Sequence, residues 1–489
     1  MKSWFDAFPL GKEDPAFKLY QSRAINLEQQ IKVSIRENSP IQLYVRYNPK
    51  DEKSIRSLES SLSKIGKIEY ALNYVPCFIM SVEGKDAKNI KDIVSGKRLE
   101  SIEKKYDKIN QMITEVESGF KFCTQNILKP KTVPYQKNQS KWNLAMIGAD
   151  IATQYSKGQG IKIGVIDTGI DFSHKEFQGR TDPSLGKNFV ADEPPIDRQG
   201  HGTHVAGICA GETIGVATQA DLYALKVLGD DGYGSEANVI KAIEWSIDNK
   251  MDIINMSLGS SGATSVFQNI CAIAYSKGLI LVAAAGNEAI GDSYPAAFGP
   301  SVISVAALEK DQRHAEFSNI CNSLDISAPG VEIISAYKGG EYCSMTGTSM
   351  AAPHVSGCAA IYKSYCQGID FEEIMKDTAK ELKTDLSFPD SFVFGAGLIK
   401  IDAMMRYVYD RDLVWDEKNK SKNNNPDKSK KGFIDIDDTI FKSLFPENNF
   451  NKAEDFLNYI SKKYDEIENK VNTLLAKKRI LYEKINNLK

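Results

Sequence analysis

Between residues 161 and 308 the chain alternates two patterns. Predominantly apolar runs fall at 161–166, 221–228, 252–257, 279–285 and 301–308. Strands buried on both faces read this way. Between them, at about 201–211, 235–249 and 264–277, apolar residues recur three and four apart, the helical spacing. Strand and helix in alternation predict a doubly wound, mostly parallel α/β sheet with helices on both faces. Upstream, Ile41, Leu43, Val45 and Tyr47 alternate with Gln42, Tyr44, Arg46 and Asn48, the period of a half-buried strand. Ile55, Leu58, Leu62 and Ile65 follow at helical spacing. Two strand-like runs (about 67–74 and 77–83), a short helix (86–95) and a last strand (98–105) complete a β-α-β-β-α-β order. A surface helix is expected at about 14–37, through Phe17, Tyr20, Ala24, Leu27 and Ile31.

These patterns divide the chain into a polar helical segment (1–39), a small α+β unit (40–106) and a connector (107–132). The large α/β domain (133–412), a charged linker (413–432) and a helical tail (433–489) follow. The linker, rich in Asn and Lys, cannot bury enough apolar surface to fold alone. In the tail Ile460, Tyr464, Ile467, Val471, Leu474, Lys478, Leu481, Ile485 and Leu488 are spaced by four and three, about four heptads. Residues 453–489 are expected to self-associate or to bind a protein partner; docking on the parent domain is the competing arrangement.

Hydrophobic residues make up 42% and charged residues 26% of the 489, the balance of a soluble globular protein. A net charge of −3 calls for no nucleic acid, and no apolar run reaches the roughly 18 residues of a membrane span. Residues 1–17 carry no apolar core of signal-peptide length. The eight cysteines are scattered without a CxxC pair, so buried thiols are expected rather than disulfides. Both features predict a cytoplasmic protein; export without such a signal is the alternative.

Candidate chemistry lies in three segments: IGVIDTGID with Asp167, GHGTHVAG with His201, and GTSMAAPHVSG with Ser349. Each sets one reactive side chain among small residues. Together they supply an acid, an imidazole and a hydroxyl. A serine hydroxyl is a poor nucleophile at neutral pH, and needs a base that a carboxylate holds in one tautomer. The order Asp…His…Ser and the wording of the segments resemble the subtilisin-like serine proteases over about residues 130–407.

The resemblance implies a serine endopeptidase. It implies that Asp167 orients, His201 is the general base and Ser349 the nucleophile. Val282–Glu288 resembles the family's oxyanion segment, which assigns Asn287 as the oxyanion donor. Ser257, Leu258 and Gly259, with Ala283, Ala284, Ala285 and Gly286, would line the primary pocket, and Gly232, Tyr233 and Gly234 the outer groove strand. Small uncharged walls favour large apolar substrate side chains; Asp230 and Asp231 are expected to be solvated loop carboxylates, with recruitment of basic residues to an outer subsite as the alternative. His204 and His354 are expected to be structural, and His174 and His314 superficial. Residues 40–106 resemble the family's propeptide domain, an intramolecular inhibitor and folding aid; an unrelated ferredoxin-like module is the alternative. A maturation cut is then expected within about 106–132, in a self-processed precursor. An inactive binding or regulatory module on the same fold is the competing function. No cofactor is expected for catalysis. Glu176 alone is a weak calcium ligand and the stretch 207–215 lacks the family's ligand loop, so the usual strong calcium site is expected to be missing, with others left open.

Overall fold

A computed structural model describes residues 15–48, 51–94, 112–125, 130–134, 141–366 and 370–420. The linker beyond 420 and the heptad tail lie outside them, as do the strand expected at 98–105 and residues 107–111 and 126–129 of the connector.

The chain opens with α1 (Pro15–Glu37), β1 (Pro40–Tyr47), α2 (Glu52–Leu62), β2 (Gly66–Ala71), β3 (Cys77–Glu83), α3 (Gly84–Val94) and β4 (Ile113–Ser118). The β-α-β-β-α-β order is there, but the fourth strand falls later than expected. The sheet is antiparallel in the order β2-β3-β1-β4, with Leu43 opposite both Met80 and Ser118. The sequence reading of β1 as half-buried is corrected: both faces are covered. Leu43, Val45, Phe78, Met80 and Val82 face the unit's own helices, in a core with Leu58, Leu62 and Ile90. Tyr44, Cys77 and Ile79, the alternate residues, join a second core with residues of the large domain. Nor is α1 a separate segment, because Leu27 and Ile31 are buried in the first of these cores.

Two short strands follow, β5 (Lys121–Thr124) and β6 (Lys131–Val133), then α4 (Trp142–Ile147) and α5 (Ala149–Ala152). The large domain continues with β7 (Lys162–Asp167), β8 (Lys187–Asn188), α6 (His201–Ala210), β9 (Asp221–Lys226), β10 (Tyr233–Ser235) and α7 (Glu236–Asp248). Next come β11 (Ile253–Met256), β12 (Leu258–Gly259), α8 (Ser265–Ser276), β13 (Ile280–Ala284), β14 (Ile303–Leu308) and β15 (Ile326–Pro329). The run closes with β16 (Ile333–Tyr337), β17 (Glu341–Met345), α9 (Thr348–Tyr365), α10 (Phe371–Asp377), α11 (Asp390–Phe394) and α12 (Ile401–Lys420).

Seven strands form one sheet, β15-β14-β13-β11-β7-β9-β8, and each neighbouring pair is parallel. Strands β7, β11 and β13 are nearly all buried, as the continuous apolar runs required. Helices α7 and α8 pack on one face through Val239, Ile243, Phe267 and Ile270. Helices α6 and α9 are buried over almost their whole length and pack on each other, which a run of Gly, Ala and Ser allows. The eight cysteines are free thiols. Among the described residues no helix is long and apolar enough to cross a membrane.

The small unit is held to the large one by buried carboxylates as well as by the shared core. Glu236, fully buried at the start of α7, accepts from Phe120 N (2.8 Å), Thr264 N (2.8 Å) and Thr264 Oγ1 (2.5 Å). Glu244, one turn from its end, accepts from Asn73 N (2.7 Å) and Tyr74 N (3.0 Å). In the opposite direction Glu117 of β4 accepts from Ser265 N (3.0 Å) and Ser265 Oγ (2.7 Å) at the N-terminus of α8, where the helix dipole favours an anion. Arg23 of α1 stands 3.4 Å from Glu117 and donates to the Ala263 carbonyl at 2.6 Å. Burial pushes the Glu236 carboxyl up to about 7, and burial beside Glu115 raises that of Glu117.

Candidate active site

Asp167 ends β7 and His201 opens α6, so the parallel sheet delivers the first beside the second at its carboxyl edge. His201 Nδ1 lies 2.8 and 2.9 Å from the two Asp167 carboxylate oxygens, and both residues are fully buried. Asp167 Oδ1 also accepts from Thr168 N at 2.7 Å. The other ring nitrogen, His201 Nε2, is buried without a hydrogen-bond partner.

The glycines around these residues are there for close approach. At Gly169 φ is +107°, and a Cβ would stand 2.5 Å from the Pro195 carbonyl oxygen. A Cβ on Gly202 would stand 2.2 Å from the Gly169 carbonyl oxygen, so the first turn of α6 rests on the turn that follows Asp167.

Asp197 ties that contact together, and the sequence reading missed it. One oxygen accepts from Thr168 Oγ1 (2.9 Å), Gln199 N (2.9 Å) and Gly200 N (2.7 Å). Its partner accepts from Thr203 N (2.9 Å) and Thr203 Oγ1 (2.6 Å). Thr168 Oγ1 in turn accepts from Gly202 N at 2.9 Å. An acid four residues before a helix-opening histidine was the available signal, because it can reach the free N–H groups of the first turn.

Ser349 is the second residue of α9. Pro353 has no N–H to return to the Ser349 carbonyl, which accepts instead from Ser257 Oγ at 2.9 Å. The Ser349 hydroxyl donates to the Ser257 carbonyl at 3.0 Å, so the expected bond to His201 is not made in this arrangement. Asn287 is placed by its side-chain oxygen, which accepts from Thr348 N (3.0 Å) and Thr348 Oγ1 (2.9 Å). The amide NH2 is therefore the end free to meet a ligand.

The groove already holds a strand of this chain. β5 lies antiparallel between β10 and β12, with Cys123 opposite Tyr233 on one side and Gly259 on the other. The Thr124 N–H donates to the Gly232 carbonyl at 3.2 Å and the Gln125 N–H to Ser257 at 3.4 Å. The Gln125 carbonyl then accepts from the backbone N–H of Ser349 at 3.1 Å. Phe122 is fully buried, its ring edge-on to Phe267 at 5.5 Å. Residues 257–259 and 232–234 thus contact this strand. Ala283 and Ala284 instead pair with β14 inside the sheet, and Ala285 N bonds Val305. Polar groups also reach this part of the groove. A Cβ on Gly259 would meet Gln125 Nε2 and Ser293 Oγ, each at 2.5 Å, so an amide and a hydroxyl converge there.

Other expected groups have local duties. Asp230 pairs with Lys226 Nζ at 3.1 Å and Asp231 accepts from Tyr233 N at 3.0 Å. Tyr233 is 46% exposed, with Lys121 Nζ 4.0 Å from its ring centre. His174 is not superficial: it is fully buried, 2.9 Å from the Glu341 carbonyl through Nε2. His314 is half-buried, and desolvation lowers its pKa. The Glu176 carboxylate accepts from Thr213 N (2.7 Å), Thr213 Oγ1 (2.5 Å) and Tyr342 OH (2.5 Å). Donors of this kind do not fit a cation ligand, and no cluster of three metal-ligating side chains occurs among the described residues.

His204 and His354 are fully buried and structural. His204 Nε2 lies 2.9 Å from the Cys343 carbonyl, and His354 Nδ1 lies 2.8 Å from that of Met350. Burial pushes His204 down to about 3 and His354 to about 4, well below the unfolded value near 6.5. Both stay neutral when folded but gain protons when unfolded. Their contribution is intact above about pH 6.5 and is lost as the pH falls below it. Each is expected to cost about 2 kcal/mol of stability by pH 5. Urea midpoints of the Ser349→Ala protein between pH 8 and 5 check this, with His354→Gln expected to flatten the slope. A slope unchanged by that substitution would remove His354 from the account.

The family model described as "Subtilase family" matches residues 158–397. Subtilisin DY of Bacillus licheniformis is 38% identical over 285 residues, which are 56% of this chain and 98% of that one. Subtilisin NAT of Bacillus subtilis subsp. natto is 33% identical over 365 residues, 70% of this chain and 93% of its own. Among solved structures, fervidolysin from Fervidobacterium pennivorans, described as a keratinolytic enzyme related to subtilisin, superposes with a TM-score of 0.61 at 25% identity. That match covers 75% of this chain and 61% of fervidolysin. With a buried acid–imidazole pair, a serine opening a helix and relatives matched over nearly their full length, the chain belongs to the subtilase family and is a subtilisin-like serine endopeptidase.

Proposed function

We propose that this chain is a precursor that hydrolyses peptide bonds through Asp167, His201 and Ser349 and whose N-terminal unit inhibits it until cut. The observation that carries this reading is the Gln125 carbonyl on the Ser349 N–H, at the end of a strand laid antiparallel in the groove. Strand addition of this kind is how an extended substrate is held.

In the reaction the Ser349 hydroxyl turns from the Ser257 carbonyl to His201 Nε2. Its oxygen attacks the scissile carbonyl while His201 takes the proton. Asp167 holds Nδ1–H and stabilises the imidazolium. The Ser349 N–H and the Asn287 amide hold the oxyanion, helped by the positive end of α9. His201 returns the proton to the leaving amine, and water repeats the sequence on the acyl-enzyme. Subtilase catalysis needs no cofactor, and every step here uses groups of the chain itself. Treatment with diisopropyl fluorophosphate tests the reading: a single adduct on Ser349, lost in His201→Ala, is expected, and an unlabelled Ser349 in the processed protein would overturn it.

Asp197 acts by position. Asp197→Ala leaves buried N–H groups near the start of α6 unsatisfied, at about 1–3 kcal/mol of stability each. A shift of the imidazole by about 1 Å lowers kcat by about 10²-fold. Steady-state kinetics are expected to show the loss in kcat with KM little changed. A change in KM alone would mean that Asp197 shapes only the groove.

A further inference from the structure

We infer that the maturation cut falls after Gln125, so that the enzyme accepts a glutamine at the residue whose carbonyl it attacks. This rests on the proposed protease reading and narrows it to one peptide bond and one class of substrate.

Of the described residues in and around the connector, 113–118 are committed to β4, paired with β1 in the inhibitor sheet. Residues 131–133 are committed to β6, paired with β17 on a different sheet. Residues 121–125 alone among them occupy the groove, and within that stretch only Gln125 places its carbonyl on the nucleophile's own N–H. The residue before it is fixed by the Gly232 carbonyl and Gln125 itself by that of Ser257, so a slip of one residue would break both bonds. Further back, Phe122 is locked in the core shared with α8. A different register would expose that ring.

The Gln125 side chain agrees with this placement. The residue is only 5% exposed, and its amide nitrogen lies over Gly259, close to where Ser293 Oγ also points. A glycine is needed there, since any side chain would occupy the space of the amide. The pocket therefore holds an uncharged, hydrogen-bonding side chain between its small walls.

The step balances within the chain. Ser349 Oγ bonds to the Gln125 carbonyl carbon, and the bond from that carbon to the nitrogen of residue 126 breaks. The Ser349 proton passes through His201 to that nitrogen. Water then releases Gln125 as a free carboxylate and restores the serine. The products are residues 1–125 and a protease chain that begins at Asn126.

Intact mass and N-terminal sequencing of the purified full chain, with and without diisopropyl fluorophosphate, test the inference. The expected result is two fragments meeting at Gln125 and Asn126, absent from Ser349→Ala. Gln125→Glu, which puts a charge beside Ser293 and Gly259, is expected to slow their first-order appearance about tenfold or more. A mature chain starting at another residue would overturn the inference and leave the protease reading intact. An uncut chain that still labels at Ser349 would also overturn it. An uncut chain whose Ser349 stays unlabelled even after trypsin has removed the N-terminal unit would overturn the protease reading itself.

Discussion

Replacing His201 by alanine is expected to lower kcat for peptide hydrolysis by about 10⁶-fold while leaving KM nearly unchanged. This is the scale that loss of the histidine or the serine of the constellation carries in subtilisin. The structural reason lies in the two ring nitrogens. Nδ1 is committed to both oxygens of Asp167, at 2.8 and 2.9 Å. That leaves Nε2, buried and without a partner, as the acceptor for the serine proton. Among the described residues His174, His204 and His354 are also fully buried, and each holds a backbone carbonyl through one ring nitrogen; none of them pairs with Asp167. Single-turnover kinetics on a peptide of the β5 sequence would check this. Activity retained within about a hundredfold would mean that a different group takes the proton.

The second large effect is expected at Asn287. Asn287→Ala should lower kcat by about 10²–10³-fold, the loss found for the corresponding donor in subtilisin. The Asn287 oxygen is held by Thr348 N and Thr348 Oγ1, which turns the amide NH2 outward and presents it rigidly. A donor fixed in advance pays no reorganisation as charge develops, so its absence is felt in the transition state more than in the bound substrate. Asn287→Asp keeps the shape but offers no donor in its ionised form, and should not recover the rate. A rise in KM with kcat preserved would show that Asn287 binds substrate without serving the oxyanion.

Much of this was legible in the sequence. The parallel strands of the large domain could be read because burial on both faces leaves continuous apolar runs, as at 161–166 and 279–285. The two short strands that flank the groove could not be read from periodicity, since Tyr233–Ser235 and Leu258–Gly259 are too short to show a period. Strand β1 misled for a different reason. Tyr44 looks like a polar alternate because it carries a hydroxyl, yet its ring fills a second core on the far side of the sheet. The connector was the largest gap. Lys121–Gln125 has no intrinsic strand signal strong enough to stand alone, and its conformation is imposed by the ladders on either side. Asp197 and the interface glutamates were hidden by their type: an acidic residue in a sequence reads as solvated until the donors that surround it are known.

The two cores on opposite faces of the small antiparallel sheet have a consequence for the fragment that the proposed cut would leave. One face is covered by its own helices; the other, through Tyr44, Leu72, Val75, Cys77 and Ile79, is covered mainly by the large domain, with Phe122 beside it. Once separated, the fragment exposes that apolar face, and Glu117 loses the donors of α8. Folding of the fragment and its capture by the protease then form one linked equilibrium. Its apparent melting temperature should rise with protease concentration, and its binding should carry the large negative heat-capacity change of coupled folding. In that sense the strength of the proposed inhibition would be a property of the pair, set by how much of the fragment's order the protease supplies.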